Sequence, residues 1–572
     1  TTKGKSGIVV KSGSEGVNTG SVTIVGNNSV GFYNEGSFIS DSGISVTGND
    51  SVGVYSLEGS ANTEIKAGTI TVSGNNGVGV FAAAPTNAGT TVKLGSTGAV
   101  NLNVSGTDTY AFYASGSNNV FSILDNTTVS VGAGSIGFQY IGSGLSNAIS
   151  SSDISAMFPV AAGKSLTFNL DPNSYAMVIQ NAKINISDLG TFTSIMPAHV
   201  VMSGSDKAKV YKGHLEIDED SSIDSGAVTN VKYRDLLVAS SRITLGSGKT
   251  LSGTEAGLIG IGQENDSIAG ITNTDMSMTN NGTIVLNGVN STGMYASYGS
   301  LNNAAAGIIK VSDNGVGLYG TNGTITENYG KIEFGDNGIG VYGTNITPGS
   351  TPTYGTKNIS VTNFDSIKST GINKAYGIVA DNDNSGSSHI TLNSGSIIDL
   401  SSVTNALAGD LVGVYAKNTI LNSAGDITVG KNGIAVYAED SNVTLTGGTI
   451  NITGTGMGIS YTPTVELSNV VDTTGTTQGY TSKQYNLPDM PTLVNTGVIN
   501  VNVGGNFNYD GIKVIVTIDP STNKPTTNSS SQVGFGGVIP NKLEVAPDFA
   551  VGTAADRYVF ENIFKGATGK GE

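Results

Sequence analysis

Gly26-Asn27-Asn28-Ser29-Val30-Gly31-Phe32-Tyr33 is a phrase that this chain keeps repeating. Its core, a small aliphatic–Gly–apolar–aromatic run, returns as Val52-Gly53-Val54-Tyr55 and Val78-Gly79-Val80-Phe81. Later copies are Thr292-Gly293-Met294-Tyr295, Val316-Gly317-Leu318-Tyr319, Ile339-Gly340-Val341-Tyr342, Val412-Gly413-Val414-Tyr415 and Ile434-Ala435-Val436-Tyr437. Neighbouring copies stand 22 to 26 positions apart, as from Tyr33 to Tyr55 and from Tyr55 to Phe81. A fixed period of this length marks a stacked repeat.

A second short apolar–polar alternation precedes the phrase. Ile44-Ser45-Val46 leads through Gly48-Asn49-Asp50 to Val52, and Ile70-Thr71-Val72 leads through Gly74-Asn75-Asn76 to Val78. Period-two alternation is the pattern of a strand, and Gly with Asn supplies the positive-φ residues of a sharp bend. Each repeat therefore reads as two or three short strands separated by corners. No single repeat can bury its apolar side alone, so Ile44, Val46, Val52 and Val54 are expected to lie on their equivalents in the coils above and below. The expected fold is all-β: a right-handed parallel β-helix with protruding loops, the hand following the usual crossover preference. The 81 glycines, and the lack of i, i+3, i+4 periodicity, exclude a helical solenoid.

The period divides the chain. Residues 1–140 and 236–460 read as repeats. Between them, 141–235 reads as irregular coils, with the most charged stretch, Asp206 to Lys249, as an excursion. Residues 461–572 hold seven of the thirteen prolines and a helix candidate at 554–565, expected as a cap. Pro348 and Pro352 suggest a longer loop after Tyr342.

Composition narrows the function. The 572 residues carry a net charge of −16 with only three arginines, a poor endowment for nucleic acid. Cysteine is absent, which suits a chain exported unfolded. No signal peptide opens the sequence at Thr1, and no apolar run is long enough for a membrane helix. The chain starts within the repeat pattern and is taken as a segment of something larger.

Catalytic and metal motifs are weak. Gly246-Ser247-Gly248-Lys249-Thr250 ends like a phosphate loop, but the earlier glycine position is Ile243, and Leu251-Ser252-Gly253 does not open a helix. Asp381, Asp383 and Ser385 resemble the start of a calcium loop whose twelfth place, Leu392, cannot ligate; an ordinary turn explains the same residues. His199, His214 and His389 lie far apart, so no metal or cofactor is expected. The acidic run Glu216, Asp218, Glu219 and Asp220 invites comparison with β-helix glycosidases and lyases. Its carboxylates follow one another along one segment, however, which favours a solvated face over paired acid/base groups. The repeating aromatics should form columns, Tyr33 over Tyr55 over Phe81 and Tyr295 over Tyr319 over Tyr342, whose first role is structural.

The run Gly26 to Tyr33 and its copies resemble the passenger repeats of large fusobacterial autotransporter adhesins, the type Va secretion family. The likeness covers 1–140 and 236–460, and the stretch from Val538 to Lys565 is similar to the region that precedes the translocator there. The resemblance implies a monomeric bacterial surface protein, held by a C-terminal outer-membrane barrel that this chain lacks. It implies attachment to host receptors or glycans, coaggregation with other bacteria, and virulence; it carries over no catalytic residue. Within the charged stretch, Lys207, Lys212, Arg234 and Arg242 are the candidate contacts to acidic glycans or receptors. A passive spacer stalk is the main rival reading, and a carbohydrate-active enzyme a more distant one.

Overall fold

A computed structural model describes residues 4–462, apart from 190–194, 206, 225–235, 264–275, 348–352, 355–357, 383–387, 408, 440, 446–447 and 453–456. Beyond 462 it describes only the backbone of short strands between Val470 and Lys565. Two compact units result, Thr1–Asp220 with Ser225–Thr244, and Ser221–Asp224 with Leu245–Glu572.

Most strands of the first unit lie in three parallel sheets whose neighbouring strands are one coil apart in sequence; Lys183–Asn185 and His214–Ile217 pair in a further parallel sheet. The phrase strands form a nine-stranded sheet from Ser6–Val10 to Leu236–Ala239. A second face has five strands, Glu15–Asn18 to Val120–Ile123; a third has seven, Val22–Val25 to Val200–Ser203. The chain visits the faces in turn, so each circuit is one coil of a parallel β-helix. Register follows the phrase: Val30 pairs with Val52 and Val52 with Val78, while Tyr33 pairs with Tyr55 and Tyr55 with Phe81.

Side chains sort by the pleat. Ile44, Val46 and Val54 are buried, as is Phe32. Val52 is not: it stands partly exposed, and Gly53 beside it takes the inward place, close against Ile70. Tyr33, Tyr55 and Phe81 occupy the outer side in a column, Tyr33 stacked on Tyr55 at 4.9 Å and Phe81 edge-on to Tyr55 at 4.8 Å.

The corners are stacked as tightly as the strands. Asn28, Asp50, Asn76 and Asp108 sit at φ between 52° and 56°. One residue earlier in each corner, Asn27 Oδ1 accepts the Asn49 N–H at 2.9 Å, and Asn49 Oδ1 accepts the Asn75 N–H at 3.0 Å. Asn75 Oδ1 accepts the Thr107 N–H at 3.1 Å. The asparagines thus serve two purposes: some reach αL, and others tie one coil to the next.

The second unit repeats the scheme. Its phrase sheet has nine strands from Ile259–Gln263 to Asn506–Asn508, and another face has twelve, from Ser221–Ser222 to Phe564–Lys565. The third face includes Ser277–Asn280, Ser300–Asn303, Ile325–Asn328 and Ser360–Asn363 in order. Tyr342 stacks on Tyr319 at 5.0 Å, and Tyr295 lies tilted against Tyr319 at 5.3 Å. The loop after Tyr342 contains an antiparallel pair, Ile346–Thr347 with Thr353–Tyr354. Of the helix candidate at 554–565, residues 554–563 lie outside the described residues. Phe564–Lys565 is instead a strand, paired in parallel with Val533–Gly534.

Within 141–235 the coil and the excursion fall in different places from those the charge pattern suggests. Lys183–Asn185, Ala208–Tyr211 and His214–Ile217 are regular coil strands, so the charged side chains they carry decorate the β-helix rather than a loop; residues 225–235 of the charged stretch lie outside the described residues. The departure comes earlier, at 142–165. There the chain leaves the phrase strand Ile136–Ile141 and forms the helix Ser151–Ala156, capped reciprocally by Ser150 and Asp153. It returns through Met157-Phe158-Pro159. Phe158 is fully buried against Phe112 and Phe121, both at 5.3 Å, and Phe138 at 5.1 Å. Burying such a ring contributes about 2–3 kcal/mol, which pins the excursion to the core.

Candidate binding surface

The outer aromatic column of the first unit continues in register from Tyr113 to Gln139, Val178 and Lys209. Lys209 therefore takes the place of the phrase aromatic. Its Nζ lies 4.9 Å from the Tyr211 ring centroid and 5.8 Å from that of Tyr175. Lys212 reaches the same Tyr211 ring at 5.3 Å. Lys212 sits in a corner at φ 47°, and its carbonyl accepts the Asn181 N–H. Among the described residues no carboxylate pairs with Lys209 or Lys212. Cations held over tyrosine rings without a carboxylate form a surface suited to an acidic group.

The expected contact residues are divided by this geometry. Lys212 belongs to the cluster. Lys207 flanks the same strand but donates from Nζ to the Pro172 carbonyl at 3.0 Å. Arg242 lies one strand further, its N–H bonded to the Gly213 carbonyl at 2.9 Å, and its guanidinium bears on His214. Arg234 lies outside the described residues. Lys209, Tyr211 and Tyr175 were not among the expected contacts. The available signal was Ala208-Lys209-Val210-Tyr211, a degraded copy of the phrase with lysine on the column.

Acidic residues nearby are engaged. Glu216 forms an ion pair with Lys183, and Asp218 accepts from the Ser187 N–H at 3.0 Å. This is inter-coil bonding, not a pair of carboxylates poised for acid/base work. His214 bridges the Leu145 carbonyl at 3.3 Å and Thr244 Oγ1 at 3.0 Å. Burial lowers its pKa below the usual value; the Leu145 bond and Glu216 oppose that shift, and Lys183 and Arg242 add to it.

The calcium candidate is only partly described. Asp381 ends the strand Ala375–Asp381 and faces Lys417 Nζ at 3.6 Å, while Asp383 and Ser385 lie outside the described residues. Among the described residues no three His, Asp or Glu side chains gather as a metal site would require. No described helix is long and apolar enough to cross a membrane.

Residues 522–572 match the family described as BigA beta sandwich domain. BigA is a bacterial surface protein, so the match is to a surface-protein domain covering the C-terminal part of this chain. No curated protein matches the chain.

Proposed function

We propose that this chain is the displayed segment of a bacterial adhesin of the autotransporter passenger type, attaching its cell to host cells or to other bacteria. The observation that carries the reading is the union of a parallel β-helix with a C-terminal match to a bacterial surface-protein domain. A stacked coil suits display outside the cell, because each added coil extends the same core. The contact surface we assign is Tyr175, Lys209, Tyr211 and Lys212, with Lys207 and Arg242 adding positive charge and acidic groups on the partner surface as targets.

The test is direct binding of the purified, labelled chain to epithelial cells and to partner bacteria. Saturable binding is expected, weakening as salt rises and falling about tenfold in the Lys209→Glu/Lys212→Glu variant. A chain that ignores both kinds of cell sinks the reading and leaves the spacer. The spacer has its own support: the outer tyrosines Tyr319 and Tyr342 stack on each other, which strengthens the coil without needing a partner.

A further inference from the structure

The excursion at 142–165 opens a cleft of about 420 Å³, within the ~300–1,000 Å³ range of small-molecule sites. We propose that this cleft is a binding site for a neutral sugar ring. The inference uses none of the residues assigned above to cell contact and stands independently of adhesion.

The cleft exists because one coil breaks the repeat. Tyr140 pairs in register with Ala114, and Ala114 with Ala82, an inward position filled by small residues in those coils. Here the chain leaves for the helix before Met157 to Val160 pair with the second face, and the space accepts a tyrosine. Tyr140 is 6% exposed, and its ring forms part of the wall. Phe158, fully buried, and Ile154, also fully buried, fix the excursion from beneath, so the cleft is preformed.

Its lining suits a polyhydroxylated ligand. Ser117, Asn118, Tyr140 and Asp153 supply polar groups, while Val120 and Met157 supply apolar wall. Asn118 spends its amide nitrogen on the Asn87 carbonyl at 2.8 Å, and one Asp153 oxygen accepts from Ser150. Among the described residues, Asn118 Oδ1, the other Asp153 oxygen, Ser117 Oγ and the Tyr140 hydroxyl have no hydrogen-bond partner. Acceptors and hydroxyls beside an apolar wall match a sugar, which has a hydroxyl edge and a C–H face. The Asp153 carboxylate, with no cation in the lining, disfavours an anionic ligand. Strand addition by a peptide is blocked beside the cleft, because the Phe121 and Ile123 N–H groups already donate to Met157 and Pro159 at 2.7 and 2.8 Å.

The experiment is saturation-transfer NMR on the whole chain. The probes are the methyl glycosides of glucose, galactose, mannose, fucose, N-acetylglucosamine and N-acetylgalactosamine, with N-acetylneuraminic acid as the anionic control. At least one neutral glycoside should give a signal, and the anion none. Ala156→Trp, a change at an exposed rim position, should abolish the signal. Tyr140→Phe, which keeps the buried ring, should weaken affinity about five- to tenfold. Circular dichroism confirms that both variants fold. Silence from every neutral glycoside overturns the proposal, and so does a signal unchanged in Ala156→Trp. Glycoside binding by a chain that ignores whole cells supports the cleft and removes the adhesin reading. Cell binding by a chain that ignores every glycoside does the reverse.

Discussion

Asn280 donates from its side-chain amide to the side-chain carbonyl of Asn303 at 2.8 Å, and both residues are fully buried. Asn303 donates in turn to Asn328 at 2.7 Å, and Asn328 to Asn363 at 2.7 Å, where the row ends on the Asp365 carbonyl. The row is also tied to the coil backbone: Asn280 Oδ1 accepts the Gly282 N–H at 3.0 Å. A buried row of amides is stable only when complete, because each member satisfies its neighbour.

Removing a middle member should therefore hurt more than removing an end. Asn303→Ala leaves the Asn280 amide and the Asn328 carbonyl each short of a buried partner, and should lower stability by about 2–4 kcal/mol. Asn363→Ala strands one buried group, the Asn328 amide, and frees the part-buried Asp365 carbonyl, which water can reach, at about 1–3 kcal/mol. The shift of the urea midpoint measures both. Equal, small shifts would show that water replaces the row.

The corner glycines separate into two classes. Gly48 sits at φ 147°, and a Cβ there would collide with the Gly26 carbonyl of the preceding coil. Gly13, at φ 76°, faces open space. Gly13→Ala should cost only about 1–2 kcal/mol of backbone strain. Gly48→Ala adds a clash with backbone that cannot rotate away, and should cost at least about 3 kcal/mol. Thermal unfolding of the two variants side by side checks the ranking.

How far the sequence carried this reading depended on whether a feature repeats. Tyr33, Tyr55 and Phe81 recur at a fixed spacing, so their column is legible in the sequence. The burial of Gly53 in place of Val52 is not, since strict alternation cannot foresee two successive residues drawn toward the core. The asparagine row is not legible there, because Asn280, Asn303, Asn328 and Asn363 sit in different local words, and Asn reads first as a turn former. The departure at 142–165 is hidden for a related reason: charge at 206–249 suggests a loop, yet among the described residues there Glu216 pairs with Lys183 across coils. The real departure is held by Phe158, an apolar residue without periodic context. Lys209 shows the converse, a site residue visible only as a flaw in the phrase.

Tyr33 and Glu35 form a second testable pair. The Tyr33 hydroxyl donates to Glu35 Oε1 at 2.8 Å, and Lys11 Nζ reaches the same oxygen at 3.2 Å. Burial, and then the Glu35 bond, push the Tyr33 pKa up to about 12. A pKa raised on folding favours the protonated phenol, so the stabilisation holds below about pH 10 and is lost as pH climbs toward the folded value. Glu35, lowered by the Tyr33 bond and by Lys11, contributes above its ordinary range and loses that contribution in acid. Tyrosinate absorbance should show one late-titrating phenol fewer in Tyr33→Phe, and earlier titration of Tyr33 in Glu35→Gln. Superimposable curves would mean that the pair does not form.

His214 offers the pH test with the closest bearing on the cleft. It bonds the Leu145 carbonyl, in the same excursion that carries the cleft's helix wall. A carbonyl only accepts, so neutral His214 carries its proton on Nδ1 and takes the Thr244 hydroxyl at Nε2. Protonation would keep both contacts, since the hydroxyl can turn to accept. What opposes it is burial, with Lys183 and Arg242 close by and Glu216 only partly offsetting them. The folded pKa lies below the unfolded value of about 6.5, so between the two the unfolded chain binds more protons. Stability therefore falls as pH drops through that window, and the fall is complete only below the folded pKa. The thermal midpoint of the first unit should decline from about pH 7.5 to about pH 5.5 in the wild type and stay nearly level in His214→Gln. The protection of the Asn147 and Ile149 amides, which bond to Gly144 and Lys183, measured against the intrinsic exchange rate at each pH, should fall over the same range. If those amides stay protected while the midpoint falls, the acid-sensitive step lies away from the excursion, and His214 is not its anchor.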